Sequence, residues 1–357
     1  MNISKPVFTI LYENVNITKD ISDSLISIHY TDNTEGHSDT VEIVVDDTFA
    51  LWQNGWYPQK GSQLQLMITD GNSTLNCGTF NIDEVKFSSP ADIITIKAIA
   101  ASNTGTLRTK KSSIHEQKTL QQIVTTIAEN NGLTVFGKFD QAIYIDVAVQ
   151  NRETDLAFLH RLSDEYGFVF SLRGTQITFY QIYDLENIPA VSTIDKTECK
   201  NIDIVDKSIG TYSNATSAYT DPNTGNTTTA TITNEVLNAD NIDFTEIVGE
   251  DTLKVYSKAT NSQQAQAKAK AALYKKNSYQ QEGDFTLPGR LDCIAGNTVS
   301  IAGIGSMSGN YHIFTSTHKI VKAGWDVDIR VKRVGFVQKV YTKKPKKPRP
   351  FSISVVN

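Results

Sequence analysis

Apolar and polar side chains alternate in several short segments of residues 1–105. The segment 61–66 is a clear case, because Gly61 opens it and Leu64 and Leu66 stand two positions apart. A period of two is typical of a β-strand with one buried face. The alternation therefore predicts that residues 1–105 form an all-β region.

Three glycine-bounded or β-branched patterns of this region recur near the end of the chain, in the same order. They are Gly61-x-x-Leu64-x-Leu66 with Gly296-x-x-Val299-x-Ile301, Gly78-x-Phe80-x-Ile82 with Gly309-x-Tyr311-x-Ile313, and Ile94-x-Ile96-Lys97 with Val327-x-Ile329-Arg330. The intervals between the patterns differ by a few residues, as loops between shared strands do. The recurrence predicts one β unit that is used twice.

From about residue 106 the apolar period lengthens to about 3.6, which is typical of an amphipathic helix. Thr119 and Gln122 have capping-box spacing, and Gly132 suits a left-handed C-cap. These signals predict a helix over about 119–131.

A second helix is predicted over about 155–166, with Thr154 as its N-cap and Gly167 as its C-cap. A strand hairpin over 168–180 follows it. Together these elements predict a compact α+β insert over residues 106–185.

Residues 186–338 return to β character. Within them, 211–234 is rich in Thr, Ser and Asn and predicts an exposed hairpin. An alanine-rich stretch predicts a helix over 262–276. The second copy of the β unit follows that helix.

The chain has 357 residues and a net charge of −5, so composition gives no general attraction to nucleic acid or to an acidic membrane. Cys77, Cys199 and Cys293 are isolated and fit neither a disulfide framework nor a zinc site. We expect reduced, mostly buried thiols. The N-terminus lacks the apolar core of a signal peptide, and we expect a soluble protein made in the cytoplasm.

Candidate catalytic and ligand sites are each better explained structurally. The loop 303–309 is spaced one residue too long for a dinucleotide motif and precedes a strand rather than a helix. His312 and His318 stand too far apart on one strand to share a metal ion. His318 is expected to be structural, and His160 is expected at the surface.

Three carboxylates, Asp155, Asp164 and Glu165, fall on the second predicted helix. Asp155 and Glu165 would lie about 15 Å apart along the helix axis, beyond the spacing of about 5–10 Å that a glycosidase uses. Helix capping and a solvated face explain them better. We expect no catalytic, cofactor-binding or metal-binding residues.

Residues 339–357 form a basic, proline-containing tail that predicts an extended linker. It lacks the interleaved aromatic residues that stack on single-stranded nucleic acid. The end of the tail has two interpretations, a strand that adds to a partner's sheet edge or a frayed terminus. The candidate partner-docking residues are Lys343, Lys344, Lys346, Lys347, Arg349, Phe351, Ile353 and Val355.

The segment from Gln150 to Phe168 contains the spacing Q-x-x-E-[ST]-D-x-x-F-L-x-R-L-x-x-E-x-G. This segment resembles the phage late control gene D family, which includes baseplate hub proteins of contractile phage tails and the hub portion of type VI secretion spike proteins. The helix that begins at Thr119 and the stretch from Ala295 to His318 are similar to the same family. The resemblance extends over about residues 5–335.

The resemblance implies a mainly β fold with an α+β insert: two tube-type β-barrel domains of similar design and a small two-helix insert domain. The implied domains are 1–105, 106–185 and 186–338, the last carrying the hairpin 211–234 and the helix 262–276, followed by the tail 339–357.

The resemblance also implies a structural hub that forms a homotrimer around a channel. Two similar units in each of three chains present pseudo-sixfold symmetry to a hexameric tail tube, and the other face holds a trimeric spike. The implied partners are the tail tube protein, a spike protein on a separate chain and other baseplate proteins. No membrane or specific nucleic acid is implied, although the genome passes through such a channel.

The implied location is the tail or baseplate of a virion, or an extracellular phage-tail-like particle, assembled in the bacterial cytoplasm. Two other functions stay open. One is a tail-associated enzyme that degrades the cell wall, and the other is a glycan-binding tail module that uses the hairpin 211–234.

Overall fold

The structure is a computed structural model that describes residues 7–34, 38–100, 107, 109–139, 143–173, 175–182, 184, 188–207, 209–220, 224–233, 251–259 and 261–334. Most of the described chain is β-strand, and two of its four described α-helices lie in its middle part. The prediction of a mainly β fold with an α+β insert is confirmed. The tail 339–357, with its docking candidates Lys343, Lys344, Lys346, Lys347, Arg349, Phe351, Ile353 and Val355, lies outside the described residues.

The strands of the first part are β1 (Val7–Tyr12), β2 (Val15–Asn16), β3 (Leu25–Asn33), β4 (Thr40–Asp46), β5 (Gln63–Asp70), β6 (Ser73–Ser88) and β7 (Ile93–Ala100). The middle part contains β8 (Lys110–Thr119), β9 (Thr134–Gly137), β10 (Tyr144–Thr154), β11 (Phe168–Arg173) and β12 (Gln176–Gln181). The last part contains β13 (Ser192–Asp195), β14 (Asn201–Asp206), β15 (Asn214–Thr220), β16 (Thr227–Thr233), β17 (Thr252–Ala259), β18 (Gln281–Pro288), β19 (Thr298–Ala302), β20 (Gly309–Val321) and β21 (Gly324–Val334). The helices are α1 (Thr18–Ser22), α2 (Leu120–Asn130), α3 (Asp155–Tyr166) and α4 (Ser262–Asn277).

Thirteen strands from the two ends of the chain form one sheet. Its first half has the order β3-β4-β7-β6-β5-β1, and its second half has the order β14-β18-β21-β20-β19-β13. If the six strands of each unit are numbered as they follow one another along the chain, both orders read second, third, sixth, fifth, fourth and first. The chain therefore contains two β units of one topology, and the recurrence in the sequence reflects it. The units differ at their ends, since β1 is antiparallel to β5 whereas β13 is parallel to β19.

Local backbone features repeat with the strand order. A β-bulge interrupts β6 after Ile82, and a bulge interrupts β20 after Ile313. The N–H of Gly61 donates to the Ile82 carbonyl at 2.7 Å, and the N–H of Gly296 donates to the Ile313 carbonyl at 2.9 Å. Bulges redirect strands and act as built-in features rather than defects. Their match shows that the two units share backbone geometry as well as topology.

An ion pair also repeats between equivalent strands. Glu42 on β4 lies 3.7 Å from Lys97 on β7, and Asp284 on β18 lies 3.2 Å from Arg330 on β21. One hydrophobic core runs through both units, because buried residues of each contact buried residues of the other. The two units are thus fused side by side.

The insert folds around its own core. Thr119 caps α2 through a capping box with Gln122, and Thr154 caps α3 by accepting the N–H of Ala157. Gly167 ends α3 in the left-handed conformation. The predictions for both helices are confirmed, as is the hairpin of β11 and β12. The long pair β8 and β10 forms a separate two-stranded sheet beside them.

The sequence predicted an exposed hairpin over 211–234 and a helix over 262–276, both in the last domain, and the structure leaves residues 224–229 and Thr231 of the hairpin exposed. The hairpin forms as β15 and β16, but β17 joins it and the three strands contact α4. Ala215 and Ser217 are fully buried there. The helix α4 also contacts α3 of the insert. Alanine spacing predicted the helix but could not identify which neighbours cover it.

Gly61 and Gly296 have φ angles of +90° and +95°, in the left-handed region that favours glycine. We expect Gly61→Ala and Gly296→Ala each to lower the free energy of unfolding by about 1–3 kcal/mol, because a Cβ is strained there whatever space surrounds it. Gly55→Ala is the matched control, since its backbone lacks this conformation and no atom lies within 4 Å of an added Cβ. Denaturant unfolding measures the difference. Equal stability of all three variants would contradict the prediction.

Candidate assembly interface

The two β units meet where β3 pairs with β20. Seven residue pairs form this antiparallel junction, from Ser27 opposite Val321 to Asn33 opposite Thr315. The part of β20 that takes part begins directly after its bulge. The bulge thus divides β20 into a segment that pairs with β19 and a segment that pairs with the other unit.

The core side of the junction is tightly filled. The ring of His318 stacks between Tyr30, at 5.8 Å between centroids, and Trp325, at 5.7 Å. The hydroxyl of Ser316 donates to the Cys293 carbonyl at 2.5 Å. Asp32 accepts the N–H of Ala295 at 3.1 Å. The contacts of Tyr30 with His318 and of Asp32 with Ala295 cross between the units and fix their register, while the contacts with Trp325 and Cys293 hold β20 within its own unit.

Neutral polar pairs line the opposite side of the junction. The hydroxyls of Thr31 and Thr317 lie 3.2 Å apart, and the hydroxyl of Thr315 donates to Asn33 Oδ1 at 3.2 Å. Burial lowers the pKa of His318 to about 4, so its ring is uncharged at neutral pH. Apart from Lys319 and the buried Asp32, the residue pairs of this junction therefore contain no charged side chain at neutral pH.

The buried titratable groups give little support for a catalytic or metal-binding site. Burial lowers the pKa of His312 to about 3, and Lys332 adds to that shift. Burial raises the pKa of the Cys293 thiol to about 12 and that of Cys199 to about 11, which leaves both protonated and weakly nucleophilic. Within the described residues, no group of three or more His, Cys, Asp or Glu side chains could hold a metal ion.

The residues of the central motif hold the insert together. Asp155 is buried, and it accepts hydrogen bonds from Lys111 at 2.6 Å, Gln150 at 2.9 Å and Asn131 at 3.0 Å. This carboxylate therefore ties α3 to β8, β10 and the end of α2. The sequence predicted Asp155 at the helix N-terminus, but its partners Lys111 and Asn131 are distant in sequence and gave no local signal.

A second cluster of the motif links the insert to α4. Arg161 contacts Glu153 at 2.6 Å and Glu165 at 3.3 Å, while its Nη2 donates to the Val149 carbonyl at 2.8 Å. Glu165 also contacts Lys268 of α4 at 2.8 Å. These charges are paired within the fold, so they act as a scaffold.

The remaining candidate side chains, His160 and Asp164, lie at the surface. Asp164 contacts Lys275 at 2.7 Å, and His160 lies 3.5 Å from Asp164. In the loop 303–309, residues 305–307 form a 3-10 turn that leads into β20, as the strand prediction required. None of these side chains converges with Asp155.

The segment after β4 exposes an apolar surface that sequence reasoning missed. Asp47 accepts the N–H groups of Trp52 at 2.8 Å and Gln53 at 3.0 Å, which holds the loop in place. Phe49 is 84% exposed, and Trp56 borders an apolar groove of about 360 Å³. Exposed aromatic residues and an apolar groove in one segment make it a candidate contact site.

No helix in the described part of the chain is long and apolar enough to cross a membrane.

Comparison with known proteins identifies a family whose sequence model this chain matches. Residues 93–324 match the family model described as phage tail baseplate hub (GPD). Over 176 residues, or 49% of this chain, the sequence is 32% identical to the probable baseplate hub proteins of Escherichia phage 186 and Escherichia phage P2. The match covers 44% and 45% of those proteins, so the aligned region spans less than half of their length.

Solved structures with the same fold come from several bacteria. A 43 kDa tail protein of prophage MuSo2 from Shewanella oneidensis has a TM-score of 0.68 at 15% identity, over 92% of this chain and 98% of that one. A tail protein from Neisseria meningitidis MC58 has a TM-score of 0.67 at 12% identity, over 92% and 97%. A type VI secretion component from E. coli has a TM-score of 0.53 at 12% identity, over 88% and 74%. At these identities the similarity concerns the fold.

The Asp155 network generates a pH-dependent prediction. Burial pushes the pKa of its carboxyl upward, but the hydrogen bonds from Lys111, Gln150 and Asn131 outweigh burial and hold the pKa below its ordinary value of 3.8. A lowered folded-state pKa contributes stability that is present above 3.8 and is lost as the pH falls through the folded-state pKa. We expect Asp155→Asn to lower the free energy of unfolding at pH 7 by about 2 kcal/mol and to weaken its acid dependence.

Denaturant unfolding at pH 7 and in acid measures both effects. Asp164→Asn is the control, because that side chain is 45% exposed and its pair with Lys275 lies at the surface. A loss as large in Asp164→Asn as in Asp155→Asn would contradict the role given to the buried network.

Proposed function

The chain belongs to the phage tail baseplate hub (GPD) family, and we propose that it forms a homotrimeric ring in the baseplate of a contractile phage tail or phage-tail-like particle. The observation that carries this proposal is the repeated strand order β3-β4-β7-β6-β5-β1 and β14-β18-β21-β20-β19-β13. Three chains with two like units each present six similar units around one axis. A threefold assembly can then match sixfold and threefold neighbours.

The proposed neighbours follow from that symmetry. A hexameric tail tube docks on the face where the six units are equivalent, and a trimeric spike docks on the face where the inserts break the equivalence. Other baseplate proteins surround the ring, which lies in the virion tail or baseplate after assembly in the bacterial cytoplasm. We further propose a division of the chain near residues 105, 185 and 338, with the insert as the element that distinguishes the two faces.

The proposed role is structural rather than catalytic. The motif residues that were candidates for acid and base chemistry are paired within the scaffold, as Asp155 with Lys111 and Glu165 with Lys268. The curated relatives are probable baseplate hub proteins. Partner binding is therefore the proposed activity of the whole protein.

The assembly state tests this function. We expect native mass spectrometry of the purified full chain to show a species of three times the 39.5 kDa chain mass. We also expect class averages in electron microscopy to show a ring with six similar lobes. A monomer at every concentration tested would refute the proposed ring.

The tail gives a second test, because its basic and apolar residues are the proposed docking element. Removal of residues 340–357 should weaken co-purification of a co-expressed spike or baseplate protein about tenfold, while the trimer stays intact, since several screened charge contacts contribute about 0.2–1 kcal/mol each.

Two variants of the full chain separate the contribution of the basic residues from that of the apolar residues. One replaces Lys343, Lys344, Lys346, Lys347 and Arg349 with Gln, and the other replaces Phe351, Ile353 and Val355 with Ser. If the basic residues dock the tail, binding of the partner should weaken as the salt concentration rises. Unchanged co-purification after the full deletion would refute a docking role for the tail.

A further inference from the structure

The junction within the chain is a template for a second junction. It pairs β3, the outermost strand of the first unit's order, with the part of β20 that follows the bulge. In the repeated topology, β14 occupies the position of β3, and the part of β6 after its bulge occupies the position of that part of β20. The two halves of a second such junction are therefore both present in one chain.

Both equivalent segments have a free edge in the described part of the chain. The strand β14 pairs with β18 on one side, and Glu84–Ser88 of β6 pairs with β7 on one side. Among the described residues no strand pairs with their other sides, and the backbone N–H and C=O groups of such an edge readily pair with another chain.

We propose that β14 of one protomer adds in antiparallel orientation to Glu84–Ser88 of the next protomer, so that strand pairing closes the ring. This inference rests on the trimer proposed above and names its contact. The interface is head-to-tail, with different surfaces on the two protomers, and such interfaces form closed rings when the rotation between neighbours closes. Every neighbouring pair of units in the ring then meets by the same strand pairing.

The register follows from strand equivalence. Phe87 lies opposite Ile94 on β7, as His318 lies opposite Val327 on β21. Ile204 lies opposite Gly283 on β18, as Tyr30 lies opposite Val41 on β4. Because His318 pairs with Tyr30 within the chain, Phe87 pairs with Ile204 between chains. The neighbouring pairs are then Lys86 with Val205 and Ser88 with Asp203.

Exposure on the core side fits this register. His318 and Tyr30 are 0% and 3% exposed in the junction within the chain. Their counterpart Phe87 is 46% exposed, and Ile204 is half-buried. A strand added from the next protomer would cover this apolar pair as the existing junction covers its own.

Charges on the other side are complementary. Asp203 lies directly opposite Asp284 on β18, a like-charge pair of which Asp284 also contacts Arg330 at 3.2 Å. In the proposed register Lys86 of the next protomer lies diagonal to Asp203, about 7–8 Å between Cα atoms and within reach of a lysine. Glu84 lies opposite Lys207, which contacts Glu282 at 2.5 Å within its own chain. The added strand therefore brings a cation to the acidic pair and a carboxylate to Lys207.

Cysteine cross-linking tests the contact. Residues directly opposite in an antiparallel pair have Cα atoms about 4.5–5.5 Å apart, within the range of about 4.4–6.8 Å that a disulfide requires. Lys86→Cys with Val205→Cys, mildly oxidised, should give covalent dimers and trimers on denaturing gels. The three native cysteines stay in every variant, and each single substitution should give no ladder.

Two double variants serve as controls. Thr31→Cys with Thr317→Cys reproduces the same geometry within the chain and should close a disulfide without raising the mass. Lys86→Cys with Asp203→Cys places the thiols in a diagonal position and should cross-link poorly. A ladder from that diagonal pair alone would overturn the register.

The outcomes separate this inference from the function it rests on. A trimer in native mass spectrometry without the Lys86–Val205 ladder, while the Thr31–Thr317 control closes, would overturn strand addition and leave the ring. A monomer at every concentration would overturn both. A disulfide that joins Lys86→Cys and Val205→Cys within one chain would also overturn the proposal.

A non-covalent variant gives an independent measurement. Phe87→Asp should raise the concentration at which the trimer dissociates at least tenfold, because it places a charge in the newly buried pair. Phe136→Asp is the matched control, since Phe136 is also an exposed aromatic residue on a strand but belongs to the insert. Equal dissociation of both variants would count against the interface.

Discussion

Sheet edges must be paired, covered or protected, and this constraint organises the whole structure. The pairing of β3 with β20 removes one edge from each β unit and fuses the two into a thirteen-stranded sheet. The shared core, the stacked His318 and the bulge in β20 all depend on that pairing. Without it, each unit would expose a row of backbone groups and the apolar side chains that the junction covers.

Backbone geometry repeats between the units more faithfully than side-chain identity. The bulges after Ile82 and Ile313 coincide, as do the left-handed glycines Gly61 and Gly296. By contrast, Phe87 stands where His318 stands. A bulge and a left-handed turn fix where a strand changes partners, whereas many apolar or polar side chains fill a covered position. The repeat is therefore most visible in glycines and strand spacing.

Local signals predicted the elements, and distant contacts decided their arrangement. The caps Thr119 and Thr154 and the terminator Gly167 lie beside the turns they form, so the helices α2 and α3 were predictable within a residue or two. The partner of Asp155 is Lys111, 44 positions away, and alternation on β3 does not identify β20 as its neighbour. Register across 280 or more residues is set by tertiary packing, which one sequence does not display. The same reason explains why the sequence did not predict that the strands of the hairpin 211–234 pack against α4.

The junction within the chain and the proposed junction between chains differ in chemistry in a way that fits their different origins. The junction within the chain forms during folding, at high effective concentration, and it relies on stacked rings and threonine hydroxyl pairs. A junction between chains must instead find its partner by diffusion and reject wrong registers. Charged side chains serve that purpose, because complementary charges accelerate encounter and penalise misalignment more than they raise affinity. The free edges carry such charges, with Lys86 on β6 and Asp203 on β14, while the apolar pair of Phe87 and Ile204 supplies burial once the strands align. The same strand geometry can thus be used once for folding and once for assembly.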